Sequence, residues 1–151
     1  AIRRSNVTRL VLWDPVVAGA TYMQAVLRLN LMYQMAIHRK VIEDREALAA
    51  RLANGETVNI EGYELAEPLF RQVSEFRLTD VLTQFVGDTL LVQINQGDAP
   101  VKPELEALAT DDRRCRVHAV REEQFWKEIK LFCQRSETLT KATRDWLITP
   151  P

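Results

Sequence analysis

A chain of 151 residues is the size of one ordinary domain, and its 46% hydrophobic and 27% charged residues are typical of a globular protein with a buried core. Its 20 basic and 21 acidic residues give a formal net charge of -1, so the composition shows no excess of positive charge that would indicate binding to nucleic acid or anionic lipid. The longest apolar stretch, residues 22–37, is interrupted by Gln24, Arg28, Asn30 and Gln34. It is too polar for a membrane span, which needs about 20 apolar residues.

Two cysteines, Cys115 and Cys133, leave no second pair for a disulfide framework or a zinc site, and we interpret both as reduced residues in or near the core. Reduced thiols and the lack of a visible signal peptide favour a cytoplasmic protein. The chain begins with Ala1 shortly before a strand-like run, so we expect that an upstream portion precedes it.

The first predicted strand covers residues 7–13, a largely apolar run that ends at Asp14, as a strand buried on both faces does before a loop. Apolar residues then recur at helical spacing until a turn signal at Asn54. This pattern predicts a helix or a broken helix pair over residues 21–53.

Residues 57–65 predict a short extended piece, and the helical pattern that follows carries Pro68 near its first turn. A second buried strand is predicted at residues 89–94, closed by polar turn residues up to Asp98. Pro103, followed by two glutamates, is a favourable opening for a helix.

The third predicted strand covers residues 115–120, and the mixed character of its two faces indicates the edge of a sheet. The last helix is predicted from the apolar spacing between Leu139 and Leu147, with Ser136 and Glu137 as its N-terminal cap.

Strands that alternate with helices indicate parallel crossovers, so the sequence predicts an α/β fold with three parallel strands and flanking helices. The segment at about 20–86 is far longer than the dozen or so residues that a crossover needs. We therefore expect most of it to be an inserted helical cap over the strand ends, where ligands bind in open α/β folds.

The order of the segments LVLWDPVVAGATYM, NIEGYEL, TLLVQINQGDAP, CRVHAV, QFWKEIKL and TKATRDWL resembles the last three strands of a capped α/β-hydrolase. The resemblance covers nearly the whole chain, so residues 1–151 are interpreted as the C-terminal portion of such a domain. The WDPVV segment, the GYEL opening of a cap helix and the Phe-Trp pair before ATRDWL are similar to hydrolases associated with exosortase A systems of exopolysaccharide-producing bacteria.

The resemblance implies a serine-hydrolase scaffold whose nucleophile stands on a glycine-flanked elbow between a strand and a helix. The serines of this chain are Ser5, Ser74 and Ser136, and none has those glycines, which the sharp turn requires. We expect the elbow on the strand just before residue 1, so this chain by itself should have no hydrolytic activity.

Asp98 and Asp14 are the candidate catalytic acids. Asp98 follows the second predicted strand, from which a triad acid could orient an imidazole, but Gly97-Asp98 is also ordinary turn chemistry. Asp14 is the alternative to Asp98, because it follows the first predicted strand, where some members of the superfamily carry their acid, but its local sequence favours the cap of an Asp-Pro turn.

The resemblance places the catalytic histidine after the third strand, where this chain has Glu122, Glu123 and Gln124. A glutamine cannot take a proton from serine and pass it on, so this difference argues for lost or altered chemistry. His118 lies within the third strand and His38 lies beside Arg39-Lys40. We interpret them as a sheet residue and a solvated helix residue.

A large apolar lining is predicted where the cap meets the strand ends. Such a lining suits an acyl or aryl ester pocket, although an aromatic-rich core between cap and sheet explains the same residues. The residues are Trp13, Tyr22, Met23, Met32, Tyr33, Met35, Phe125 and Trp126.

Three functions remain open at this point: part of a serine-type ester or thioester hydrolase, an inactive binding or scaffolding protein of the same fold linked to polysaccharide export, and an unrelated small α/β interaction domain. The first implies a small ester-like ligand, and neither the first nor the second implies a metal or a cofactor. They also predict that the exposed edge of the first strand pairs with a missing N-terminal half or with a second copy.

Overall fold

The computed structural model describes residues 6–60, 62–109, 114–124 and 136–149. These residues belong to two compact units, one formed by residues 1–17 and 78–151 and the other by residues 18–77. The elements in chain order are β1 (Arg9–Trp13), α1 (Gly19–His38), α2 (Arg45–Ala53), β2 (Val58–Ile60), β3 (Tyr63–Leu65), α3 (Glu67–Glu75), α4 (Leu78–Leu82), β4 (Asp88–Asn95), α5 (Pro103–Glu106), β5 (Cys115–Arg121) and α6 (Glu137–Ile148).

The first unit is built on a three-stranded sheet in the order β1-β4-β5, and both strand pairs are parallel. In the register, Leu91 of β4 lies opposite Leu12 of β1 and Val117 of β5. Six consecutive β4 residues, 89–94, are buried, because the central strand has a neighbour on each side and a covered surface on both faces. The predicted α/β class with three parallel strands is confirmed.

One face of this sheet packs against α6. The buried cluster combines side chains of β4 and β5 with Leu139 of α6, and Val11, Ala142 and Trp146 pack around it. Its buried members are Leu90, Val92, Ile94, Val120 and Leu139. The apolar residues whose spacing predicted α6 are therefore the ones that pack against the sheet.

The C-terminal end of α6 is bound to β1 through Arg9. The guanidinium donates to the carbonyl oxygens of Trp146, Leu147 and Thr149 at 3.1, 2.6 and 2.7 Å and lies 5.4 Å from the centre of the Trp146 ring. The last carbonyls of a helix lack partners within the helix, and a cation there also meets the negative end of the dipole. This contact joins residues at the two ends of the described chain.

The N-terminal end of α6 differs from the prediction. Ser136 occupies the N-cap position but its side chain makes no capping hydrogen bond. The amide of Leu139 instead donates to a carboxylate oxygen of Glu122 at 3.0 Å. Ser136 is therefore the N-cap residue, as predicted, but an acid from the loop after β5 supplies the hydrogen-bond acceptor in place of its hydroxyl.

The second unit contains α1, α2, the β2–β3 hairpin and α3. Its core is formed by one side of α1 and of α2 with the inward residues of the hairpin: Met23, Leu27, Leu48, Leu52, Val58, Ile60 and Leu65. The α1–α2 pair matches the predicted broken helix pair, with Asp44 accepting a hydrogen bond from the Ala47 amide at 2.8 Å to begin α2.

The two ends of this unit lie side by side. Ala18 and Arg77 form an antiparallel bridge, and the Gly19 amide donates to the Phe76 carbonyl at 3.0 Å. The predicted insertion ran to about residue 86, whereas this unit ends at Arg77. Leu78 and Leu82 of α4 are buried, and α4 belongs to the unit that contains the sheet.

No helix in the described ranges is both long enough and apolar enough to cross a bilayer.

Candidate functional site at the carboxyl edge of the sheet

The three parallel strands end at the same edge of the sheet, with Trp13 closing β1, Asn95 closing β4 and Arg121 closing β5. We call this edge, with the loops that follow the strands, the carboxyl edge. Open α/β sheets bind ligands at this edge, because the loops there are free to vary while the strands hold them in place.

Asp14 is the first residue beyond β1. Its amide donates to the Val92 carbonyl at 2.7 Å, so the β1–β4 ladder continues through it. Its φ of 43° lies in the left-handed region, which Asp visits more often than most residues but still at an energetic cost. The ladder and the side-chain contacts described next hold the residue in this conformation.

The carboxylate of Asp14 brings three loops together. The side-chain amide of Gln124, after β5, donates a hydrogen bond to Oδ2. The ammonium group of Lys102, after β4, lies 4.0 Å from Oδ1. Only 16% of the Asp14 side chain is exposed, so this carboxylate is shielded by its partners and largely withdrawn from water.

Asp98 has a different environment. Its side chain is 90% exposed, and its contact with the guanidinium of Arg121, at 3.4 Å, joins two groups that are both open to solvent. Such surface pairs are screened by water and contribute little. The structure therefore brings Asp14, and not Asp98, into contact with the residue at the position where the resemblance places histidine.

The loop after β4 is fixed by Gln93, a residue that the sequence reasoning missed. Gln93 is 1% exposed; its Nε2 donates to Asn95 Oδ1 at 2.9 Å and to the Pro100 carbonyl at 3.0 Å, and its Oε1 accepts from the Lys102 amide at 2.7 Å. Asn95 in turn donates to the Ala99 carbonyl at 2.9 Å. A polar residue within the apolar run of β4 was the available signal, because buried polar groups need partners.

The predicted lining residues lie in both units. Trp13 of the first unit is exposed, and its indole N–H donates to the Thr143 hydroxyl at 2.9 Å. Tyr22 and Tyr33, in the second unit, are exposed on α1, whereas Met23 lies in the core of that unit. Phe125 and Trp126 lie outside the described residues.

Met32 and Met35 are also exposed on α1. Of the thiols, Cys115 is buried in β5 and Cys133 lies outside the described residues.

The two histidines lie in different units. His118 is exposed on β5 beside a groove of about 460 Å³ that Arg116, Lys141 and Trp146 also line. His38 borders a cleft of about 380 Å³ in the second unit.

Ser74 lies in α3 and Ser136 precedes α6, while Ser5 falls outside the described ranges. Among the residues that the structure describes, no cluster of three or more His, Cys, Asp or Glu side chains could hold a metal ion.

Comparison of the sequence with protein-family models finds no match, and comparison with curated proteins finds none either.

Proposed function

We propose that this chain is the cap-bearing and acid-bearing part of an α/β-hydrolase domain of the serine ester or thioester type, and that it does not hydrolyse a substrate by itself. The proposal depends most on the hydrogen bond between Asp14 and Gln124. It joins a strand-end acid to the position at which the resemblance places the catalytic histidine.

The arrangement of the elements supports this proposal. Three parallel strands follow one another across the sheet in chain order, and a helical unit is inserted after the first of them. Both features are what the resemblance implies for the last three strands of a capped hydrolase. The nucleophile elbow and the oxyanion donors would come from a preceding N-terminal half.

Asp14 is the better of the two candidate acids. A triad acid orients an imidazole through a charge-assisted hydrogen bond, and that bond is stronger where water is excluded. The Asp14 carboxylate is mostly buried and already accepts a hydrogen bond from position 124, whereas Asp98 is open to solvent. We therefore assign the acid position to Asp14.

A second function is favoured by the identity of Gln124. Its amide donates a hydrogen bond to Asp14, as an imidazole N–H would, but it has no titratable proton to exchange with a serine. A domain with this pair keeps the shape of the site and loses the general base. The second candidate is thus an inactive binding or scaffolding protein of the same fold, connected by the resemblance with exopolysaccharide export.

For the hydrolase, the proposed ligand is a small ester-like molecule. Trp13, at the end of β1, presents exposed aromatic surface that could contact it, and the reduced state proposed for the cysteines supports a cytoplasmic location. No metal or cofactor is required by this chemistry.

The proposed partner is the N-terminal half or a second copy, bound at the outer edge of β1. In the described part of the chain, β1 is an edge strand of the sheet. The Thr8 carbonyl and the Asp14 amide bond to β4, so by alternation the backbone groups of Arg9 and Val11 face the other side. An added strand would satisfy those groups.

The test is labelling with a serine-reactive fluorophosphonate probe. This chain alone should give no labelling and no hydrolysis of p-nitrophenyl esters. Labelling of the protein that also includes the upstream coding sequence would support the hydrolase, and no labelling with the fold intact would support the inactive binding protein. Ester hydrolysis by this chain alone would contradict both.

A further inference from the structure

A groove of about 460 Å³ lies between β5 and α6, and we call it the β5–α6 groove. Its volume is in the range of small-molecule sites. Its floor is apolar and is formed by Leu90 of β4 with Ala142 and Trp146 of α6. Leu90 is buried, and the Trp146 ring is held by the guanidinium of Arg9, which lies 5.4 Å from the ring centre. The floor is therefore part of the packed core and exists before any ligand binds.

One wall of the β5–α6 groove carries two basic side chains of β5. In the register, Arg116 lies opposite Leu90, and His118 lies opposite the next buried β4 residue on the same face, Val92. Both β4 residues belong to the cluster that α6 covers. Paired residues of neighbouring strands point to the same face of a sheet, so Arg116 and His118 project on the α6 side and line the groove. Both are exposed, so α6 leaves this part of β5 open to solvent.

The charged side chains that line the groove leave a net positive charge. Within the described residues, neither Arg116 nor His118 takes part in an ion pair or a side-chain hydrogen bond. Asp145 also lines the groove, but the ammonium group of Lys141 lies 2.6 Å from its carboxylate and the guanidinium of Arg144 lies 3.3 Å from it. Among the described lining residues, Arg116 is therefore the uncompensated charge, and its planar donor fork matches a carboxylate.

The neighbouring acids do not cancel this charge. Asp88 pairs with Arg114 at 4.0 Å, and a carboxylate oxygen of Glu122 accepts from the Leu139 amide. Glu137 is exposed in the first turn of α6 and is not one of the lining residues. The groove therefore offers a positive wall beside an apolar floor.

We propose that the β5–α6 groove binds a small organic monoanion, a carboxylate on an aryl or short alkyl body. The carboxylate accepts hydrogen bonds from Arg116, while the body contacts Trp146 and Leu90. One uncompensated positive charge fits a monoanion better than a phosphate dianion. The lining residues do not include Asp14 or Gln124, so this site does not depend on the proposed hydrolase chemistry.

The test is an NMR titration of the full chain with three small molecules. Phenylbutyrate carries both the charge and the apolar body, phenylbutyramide lacks the charge, and acetate lacks the body. We expect phenylbutyrate to shift the amide signals of Arg116, Val117 and His118 and the indole signal of Trp146. It should bind at least about tenfold more tightly than either of the other two, and added salt should weaken its binding. These comparisons need no variant, so they decide the question even if a substitution disturbs folding.

Two variants test the role of the charge. Arg116→Gln should weaken phenylbutyrate binding about tenfold, because the carboxylate loses its charged donor. Arg121→Gln is the matched control, since it removes an exposed arginine of the same strand that does not line the groove, and it should bind as the unmodified chain does.

The proposal is overturned if phenylbutyrate does not shift the groove signals, if phenylbutyramide or acetate binds equally well, or if the two variants bind alike. Inorganic phosphate that competes as strongly as phenylbutyrate would also overturn it, because the apolar floor would then contribute nothing to binding.

Discussion

The side-chain amide of Gln124 donates a hydrogen bond to the carboxylate of Asp14, and this contact joins residues 110 positions apart in the sequence. It connects the loop after β5 to the residue after β1, at the edge of the sheet where α/β proteins bind ligands. With Lys102 4.0 Å from the same carboxylate, all three strand-end loops meet at Asp14. The hydrogen bonds of Arg9 hold β1 against α6, and those of Gln93 hold the loop after β4 in place.

Arg9→Ala should lower the free energy of unfolding by about 1–2 kcal/mol, because three carbonyl oxygens at the end of α6 lose a charged donor that is partly open to solvent. Urea unfolding monitored by circular dichroism measures the loss. Arg116→Ala, which changes an exposed arginine of β5, should shift stability by less than about 0.5 kcal/mol. Equal losses in the two variants would show that the contact between Arg9 and α6 contributes nothing to the free energy of unfolding.

Gln93→Leu should lower the free energy of unfolding by about 2–4 kcal/mol. Leucine keeps the approximate volume but leaves the Lys102 amide and the Pro100 carbonyl without the partners that fix the loop. Thermal or urea unfolding provides the measurement, with Gln96→Leu as the matched control, since Gln96 is exposed in the same loop. A stability equal to that of the control would mean that the loop does not depend on Gln93.

Gly19→Ala should lower the free energy of unfolding by about 3 kcal/mol or prevent the second unit from folding. A Cβ atom at this position would lie 1.6 Å from the Val73 carbonyl oxygen, which is backbone and cannot rotate away. Gly97→Ala is the control, because a Cβ there meets nothing within 4 Å. Limited proteolysis and unfolding curves compare the two, and wild-type stability of Gly19→Ala would be inconsistent with the packing of α1 against α3.

Much of the fold could be predicted from the sequence because its strands are apolar runs with polar ends. The run at residues 89–94 identifies β4 even though Gln93 interrupts it, since its neighbours are all apolar or small. The residue at which the inserted unit ends could not be predicted in the same way. Leu78 and Leu82 show helical spacing, but spacing alone does not reveal which of two cores buries them.

The candidate site could be predicted only as a set of alternatives. Asp14 and Asp98 both follow strands and both belong to turn sequences, so local chemistry does not separate them. Their environments depend on residues distant in the chain: Gln124 and Lys102 for Asp14, and open solvent for Asp98. Glu122 replaced Ser136 as the acceptor at α6 for the same reason.

The most direct test of the account is the titration of an imidazole introduced by Gln124→His, followed by NMR. If Asp14 faces position 124 as an acid faces a triad histidine, the carboxylate stabilises the protonated ring and raises its pKa above that of an imidazole introduced by Gln96→His on the exposed loop. A second substitution, Asp14→Asn, should abolish the difference. Identical titration at the two positions, unaffected by Asp14→Asn, would contradict the assignment of Asp14 to the acid position.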